Sequence, residues 1–302
     1  TAELQVCSDA ILRVVRRPSA ALLEKTSLVV SAEWAQTDYQ VEKNSTGVVV
    51  STRKVIAMYD AGTGRISFLD RASKRVRLQE LGHSFTSSKD LGRDTYQIEQ
   101  SWATSDDEGI YGGGGYQNGV VNLKHAPLEM VQFNSEAVVP YFWSTVGYGL
   151  LWDNYAWTFL NPPDAALVPP SSPRSGKLPF TPTVDGDHFF FVGKPFPISG
   201  SRPGFGQPNG SWVKVNLTDA AGQVLVVQDW DALENMPNSL VGVAPGLKKG
   251  ETYSVDYSWK SEDVGLYVHG PDYAKTTLRS FLGDAIDYYF ALAGSPDDAV
   301  QK

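Results

Sequence analysis

Acidic side chains outnumber the other groups that could do chemistry: 34 Asp and Glu stand against four His and one Cys in 302 residues. His83, His125, His188 and His269 lack the short spacings that let imidazoles share one ion, so they mark no metal site. Cys7 is alone, which removes an internal disulfide and a redox pair together. Gly112 to Gly115 suggests a phosphate loop, yet no Gly-Lys-Ser/Thr follows. Tyr116-Gln117-Asn118-Gly119 instead carries an Asn-Gly turn signal that opens into Val120-Val121, a hairpin signature. No Gly-x-Ser-x-Gly nucleophile elbow is present. Ser105-Asp106-Asp107-Glu108 and Asp185-Gly186-Asp187 read as solvated turns, the latter in preference to a calcium site. No cofactor is expected.

The elements that must position any such site are strands. At 42% hydrophobic and 12% aromatic, with many Gly and Pro, the chain suits an all-β architecture with one or two substantial cores. A net charge of −8 and a pI near 5.1 argue against nucleic acid or an anionic membrane surface as partner, because both need a basic footprint. No apolar run approaches a membrane span and no signal sequence is present, while Thr1 in place of Met fits a processed or engineered start. Asn44, Asn209 and Asn216 head Asn-x-Ser/Thr triplets, glycosylation acceptors in a secreted, extracellular protein, which is the expected location.

In chain order, Ile11 to Val15 is a strand, and the runs 48–50, 55–59, 66–69 and 76–78 read as a β-meander. Tyr96, Ile98, Gln100 and Trp102 alternate as a half-buried strand does. The runs 138–143 and 148–152 follow, and Trp143, Trp152 and Trp157 within or beside them are expected in the core. Prolines at 169, 170, 173, 179 and 182 read as a linker. Beyond it, 189–192, 212–217, 224–227, 253–259 and 265–268 form short strands that predict a second sandwich. Ser295, Pro296, Asp297 and Asp298 announce a helix start: an N-cap, a proline at the first helical position and acids at the positive end of the dipole.

Four fragments in order resemble the N-terminal β-sandwich region of glycoside hydrolase family 31, the α-glucosidases and α-xylosidases. They are Ile110-Tyr111-Gly112-Gly113-Gly114, Tyr116-Gln117-Asn118-Gly119-Val120-Val121-Asn122, Phe133-Asn134-Ser135-Glu136, and the stretch from Gly147-Tyr148-Gly149 to Asn154. Gly113 departs from the family, which usually has Leu there. The segment 246–257 is similar to the end of a carbohydrate-binding domain of the protective-antigen type, without its Asp-Asp-Gly signature. The resemblance implies a galactose-mutarotase-like β-sandwich (1–163), an inserted second β-sandwich (164–271), and a return to the first with the start of a helix leading to a barrel (272–302).

It also implies an oligosaccharide substrate and a retaining reaction that needs two carboxyl groups roughly 5 Å apart. In the family both lie on a (β/α)8 barrel, and the Asp-Met/Leu-Asn-Glu type of nucleophile motif is found nowhere here. Asp231-Ala232-Leu233-Glu234-Asn235-Met236 has the wrong order. No catalytic residue is assigned to this chain, and the catalytic polypeptide of the same enzyme becomes its expected partner. What the chain can supply is a loop that binds the leaving-group sugar, at Asn134, Ser135 and Glu136, whose amide and carboxylate suit vicinal hydroxyls. Phe205, between glycines, and Trp230, between acids, sit where a core residue is less expected, and are candidates for an outer sugar platform, with loop anchors of the second sandwich as the alternative reading. The hairpin and the insertion favour an α-xylosidase acting on xyloglucan oligosaccharides, with an α-glucosidase as the alternative and a non-catalytic carbohydrate-binding protein as the rival from another class.

Overall fold

A computed structural model describes residues 1–19, 26–116, 119–132, 137–163, 166–193, 213–230, 240–260, 264–272 and 274–301. Strands β1 (Ala2–Val6) and β2 (Ile11–Arg16) open the chain. The expected meander follows as β3 (Gln40–Asn44), β4 (Gly47–Ser51), β5 (Val55–Asp60), β6 (Ile66–Asp70), β7 (Val76–Asp90) and β8 (Arg93–Ala103), each paired antiparallel with the next. Next come β9 (Ile110–Gly115), β10 (Leu128–Met130), β11 (Ala137–Ser144), β12 (Tyr148–Trp152) and β13 (Thr158–Leu160).

The following strands are β14 (Ala166–Val168), β15 (Ser175–Phe180), β16 (Gly186–Gly193), β17 (Val213–Thr218), β18 (Val224–Trp230), β19 (Leu240–Leu247), β20 (Tyr253–Trp259) and β21 (Gly265–His269). Strands β22 (Lys275–Gly283) and β23 (Ile286–Leu292) and helix α1 (Pro296–Val300) complete the chain. Ser295 caps α1 by accepting the Asp298 amide, as its sequence announces.

Two sheets make the first sandwich: one ordered β1-β2-β23-β12-β11-β9, the other β10-β13-β22-β8-β7-β6-β5-β4-β3. Alternation along the strands sends Leu12, Val14, Ile286, Tyr288 and Phe290 from the first sheet against Val55, Phe68, Leu78, Ile98 and Trp102 from the second. Phe68 stacks on Phe290 at 4.4 Å, and Trp102 meets Trp152 and Tyr288 edge-on. An ion pair crosses this core: Arg16 donates to Glu80, whose carboxylate also takes the Tyr288 hydroxyl at 2.7 Å and the Ile66 amide at 2.7 Å.

Strands β14 to β21 form two further sheets, β14-β21-β16-β19 and β15-β20-β17-β18, around Phe190, Val215, Val255, Trp259 and Leu266. The two pairs of sheets meet at an aromatic cluster in which Trp157, Phe159 and Phe281 of the first pack on Phe191 and Tyr267 of the second.

Three expectations need correction here. The proline-rich stretch is not simply a linker, because it contains β14 and β15. Strand β15 sits at a sheet edge, the position where a strand tolerates a proline such as Pro179. Val120-Val121 does not form the second arm of a hairpin: β9 pairs with β11, while Leu123 donates back to Ile110 and Asn122 accepts the Ile110 and Lys124 amides. Trp143 lies half-buried on the outer face, tilted against Tyr111 at 5.8 Å, and of the three tryptophans expected in the core Trp152 and Trp157 are buried.

Candidate functional site

Asn134, Ser135 and Glu136 fall between β10 and β11, outside the described residues. The base of that segment is defined, since the Gln132 side-chain oxygen accepts the Val138 amide at 3.0 Å. Phe205 and Asn209 also lie outside the described residues. Trp230 closes β18 opposite Val213, so its backbone belongs to a strand and not to a loop; its side chain lies outside the described residues. No described contact brings the two groups of expected sugar contacts together.

Strands β9 and β11 can approach closely because of the glycines of β9. Gly112 and Gly114 have φ of 115° and 120°, and a Cβ on either would meet a carbonyl oxygen of β11 at 2.3 Å or 1.8 Å. The ladder shifts register between Val138 and Phe142, a bulge that turns the first half of β11. Gly113, where the family usually carries Leu, has φ 77°, and a Cβ there would stand 2.9 Å from the Leu128 side chain and 3.2 Å from the Phe142 ring, so a side chain is strained by the backbone and needs those neighbours to shift.

This bulge forms one wall of a groove on the outer face of the six-stranded sheet. The groove encloses about 690 Å³ between Gly112–Gly114, Val139, Tyr141 and Tyr289 on the sheet and Val29 and Trp34 on the segment that crosses it. That segment is held by the Leu28 amide donating to the Tyr155 hydroxyl at 2.6 Å. Tyr141 donates to the Ala299 carbonyl at 2.6 Å, fixing α1 at the rim, and burial pushes its phenol up to about 12, so it remains a donor at neutral pH. Beneath, Asp287 accepts Arg13 in a fork at 2.8 and 2.6 Å, and the guanidinium lies 5.2 Å from the Tyr289 ring centre. Cys7, in the adjoining cluster, is pushed up to about 11 by burial and stays a thiol. Val139 at 53% and Trp34 at 39% exposure leave the groove apolar and open.

The face was signalled in the sequence by 138–143, a continuous apolar run in place of alternation, the mark of a strand covered on both sides. The expected solvated turn at 105–108 is another correction. Glu108 is buried and accepts the hydroxyls of Ser144 and Tyr148, while Lys124 donates to the Ser105 and Asp106 carbonyls. Asp185 and Asp187 accept the Lys249 and Gly246 amides and so brace a turn. Glu80, Glu108 and Asp287 are thus buried acids engaged in holding the fold. The site as described offers apolar area.

The residues 1–161 match the profile of the glycosyl hydrolase 31 N-terminal galactose mutarotase-like domain. The fold is accordingly a galactose-mutarotase-like β-sandwich, without a catalytic barrel in these 302 residues. The chain belongs to glycoside hydrolase family 31. It is 24% identical over 164 residues to the α-xylosidase of Saccharolobus solfataricus, 51% of this chain and 22% of that one. It is 43% identical over 68 residues to a family 31 glucosidase of Pseudescherichia vulneris, 22% of this chain and 13% of that one. The crystal structure of an α-xylosidase of the family from Xanthomonas citri superposes with a TM-score of 0.74 at 23% identity, over 99% of this chain and 37% of the other. The chain therefore spans less than a quarter of the length of these curated relatives.

Proposed function

We propose that this chain is the N-terminal part of a secreted retaining α-glycosidase, an α-xylosidase that releases xylose from xyloglucan oligosaccharides. Its two catalytic carboxylates belong to a (β/α)8 barrel elsewhere in the enzyme. The observation that carries the reading is the open apolar groove on the outer face of the six-stranded sheet: a sandwich with a complete core has no need of a second apolar face unless another element packs there. The barrel covers the groove and brings the scissile bond under the loop, where Asn134, Ser135 and Glu136 bind the leaving-group sugar. The strands between β13 and β22 act as a carbohydrate-binding unit, with Phe205 and Trp230 as its sugar platform. Asn44 and Asn216 are exposed, in keeping with glycosylation of a secreted protein. The choice of xyloside follows the α-xylosidases among its relatives, and the second reading, an α-glucosidase, follows the glucosidase of Pseudescherichia vulneris. A free-standing sugar-binding protein would gain nothing from the groove.

Turnover of aryl α-xyloside against aryl α-glucoside, by the enzyme that contains this chain and its barrel, tests the substrate. Faster turnover of the xyloside is expected, and a preference for the glucoside sinks the xylosidase reading. In the same assay Glu136→Gln should raise KM several-fold for a xyloglucan oligosaccharide and leave the aryl xyloside, whose leaving group is not a sugar, unaffected. An unchanged KM for the oligosaccharide removes Glu136 from the site.

A further inference from the structure

A second opening lies between the two pairs of sheets, and its chemistry is the opposite of the groove's. Glu99, Thr277 and Arg279 line it from the outer face of β8 and β22, and His269, Asp272 and Lys275 from the end of β21 and the connection to β22. It holds about 120 Å³, room for a few waters or for one edge of a small ring. Its charges balance, Glu99 and Asp272 against Arg279 and Lys275.

Each charged pair is only half engaged. Arg279 donates through Nε to Glu99 Oε2 at 2.5 Å, and among the described residues its two terminal nitrogens and Glu99 Oε1 have no further bond. Lys275 Nζ stands 3.5 Å from Asp272 Oδ2, too long for a good hydrogen bond, and Asp272 Oδ1 takes the Ala274 amide. An anion entering here meets two carboxylates, and a cation meets an ammonium and a guanidinium. A neutral group with donors and acceptors on adjacent atoms satisfies both: one hydroxyl of a vicinal diol donates to a carboxylate while its neighbour accepts from the guanidinium or ammonium.

We propose that this cleft binds the hydroxyl edge of a neutral saccharide unit, with residues preceding and following strands β14 to β21 gripping it together. The saccharide as ligand class rests on the glycosidase reading; the preference for a neutral polyhydroxyl group rests on the cleft alone.

The test is ligand-observed NMR on the 302-residue chain with a xyloglucan heptasaccharide, set against an oligogalacturonate of similar length. Binding of the neutral sugar only is expected. Asp272→Asn and Lys275→Gln alter half-exposed side chains, so each should keep the parent melting temperature while weakening binding about tenfold, the usual effect of losing one charge-assisted hydrogen bond. No binding at about 10 mM sugar, equal binding of the anionic oligomer, or wild-type affinity in both variants overturns the proposal. If the barrel-containing enzyme cleaves xylosides while the cleft stays empty, only this inference falls. Should the variants lose binding while that enzyme cleaves no glycoside, the glycosidase reading falls and the cleft stands.

Discussion

A methyl group on Gly114 would lie 1.8 Å from the Ala137 carbonyl oxygen, at a φ that L-residues avoid. Gly114→Ala is therefore expected to cost at least about 2 kcal/mol, the left-handed penalty plus a backbone clash that cannot relax without opening the bulge. Urea unfolding monitored by fluorescence would register the loss, and a wild-type midpoint would mean that the ladder can do without the bulge. Residues of this kind were legible, because a run of four glycines has few uses besides positive φ and close approach. Glu108 was not legible: three acidic or polar neighbours suggest water, and nothing local reveals that Ser144 and Tyr148 arrive from β11 and β12 to enclose it. Asn134, Ser135 and Glu136 could be named from their motif, but a motif carries no geometry.

Within the strands, the decisive contact of the first core is polar. Glu80 on β7 and Arg16 on β2 are 1% and 4% exposed, and they tie one sheet to the other through a carboxylate that also holds the Tyr288 hydroxyl and the Ile66 amide. Glu80→Gln leaves the guanidinium as an uncompensated buried charge and should cost about 3–5 kcal/mol. Adding Arg16→Met removes that charge, yet the double variant should remain below wild type if its new side chain at 80 cannot serve both donors that the carboxylate held. Chemical denaturation of the two variants checks this, and a double variant as stable as wild type would show that the carboxylate's other two bonds count for little. Sequence pattern exposed many of these strands in advance, most as short β-branched or aromatic runs and β8 by its period-two alternation. It failed for β14 and β15, where proline is tolerated because β15 is an edge, and it could not say which polar residue on a buried face has a partner across the sandwich.

Across the whole molecule, the junction between the two pairs of sheets is where pH should be felt. His125, at φ 62°, is held down to about 4, first by burial and then by the charges of Lys124 and His269. The loop that carries it is pinned by Asn161, which donates to Leu123 and Ala126 and accepts the Thr277 amide. Folded protein keeps this ring neutral while unfolded chain takes up a proton below about 6.5, so stability should fall as pH drops from about 6.5 towards 4 and level off below. Burial lowers His83 and His188 as well, with the same sign. His125→Asn, which tolerates positive φ, should flatten part of the slope between urea midpoints at pH 7 and pH 5; an unaltered slope would assign it to the other histidines.

Strand β13 leaves the nine-stranded sheet next to β22, the strand on which the chain returns, with Leu160 opposite Leu278. Exit and re-entry are thus one strand spacing apart, about 5 Å. Strands β14 to β21 are thus joined to that sheet at neighbouring strand ends, as a pendant is joined to a clasp. A chain without them would leave Trp157, Phe159 and Phe281 without the cover of Phe191 and Tyr267, and these rings would have to be repainted with polar side chains.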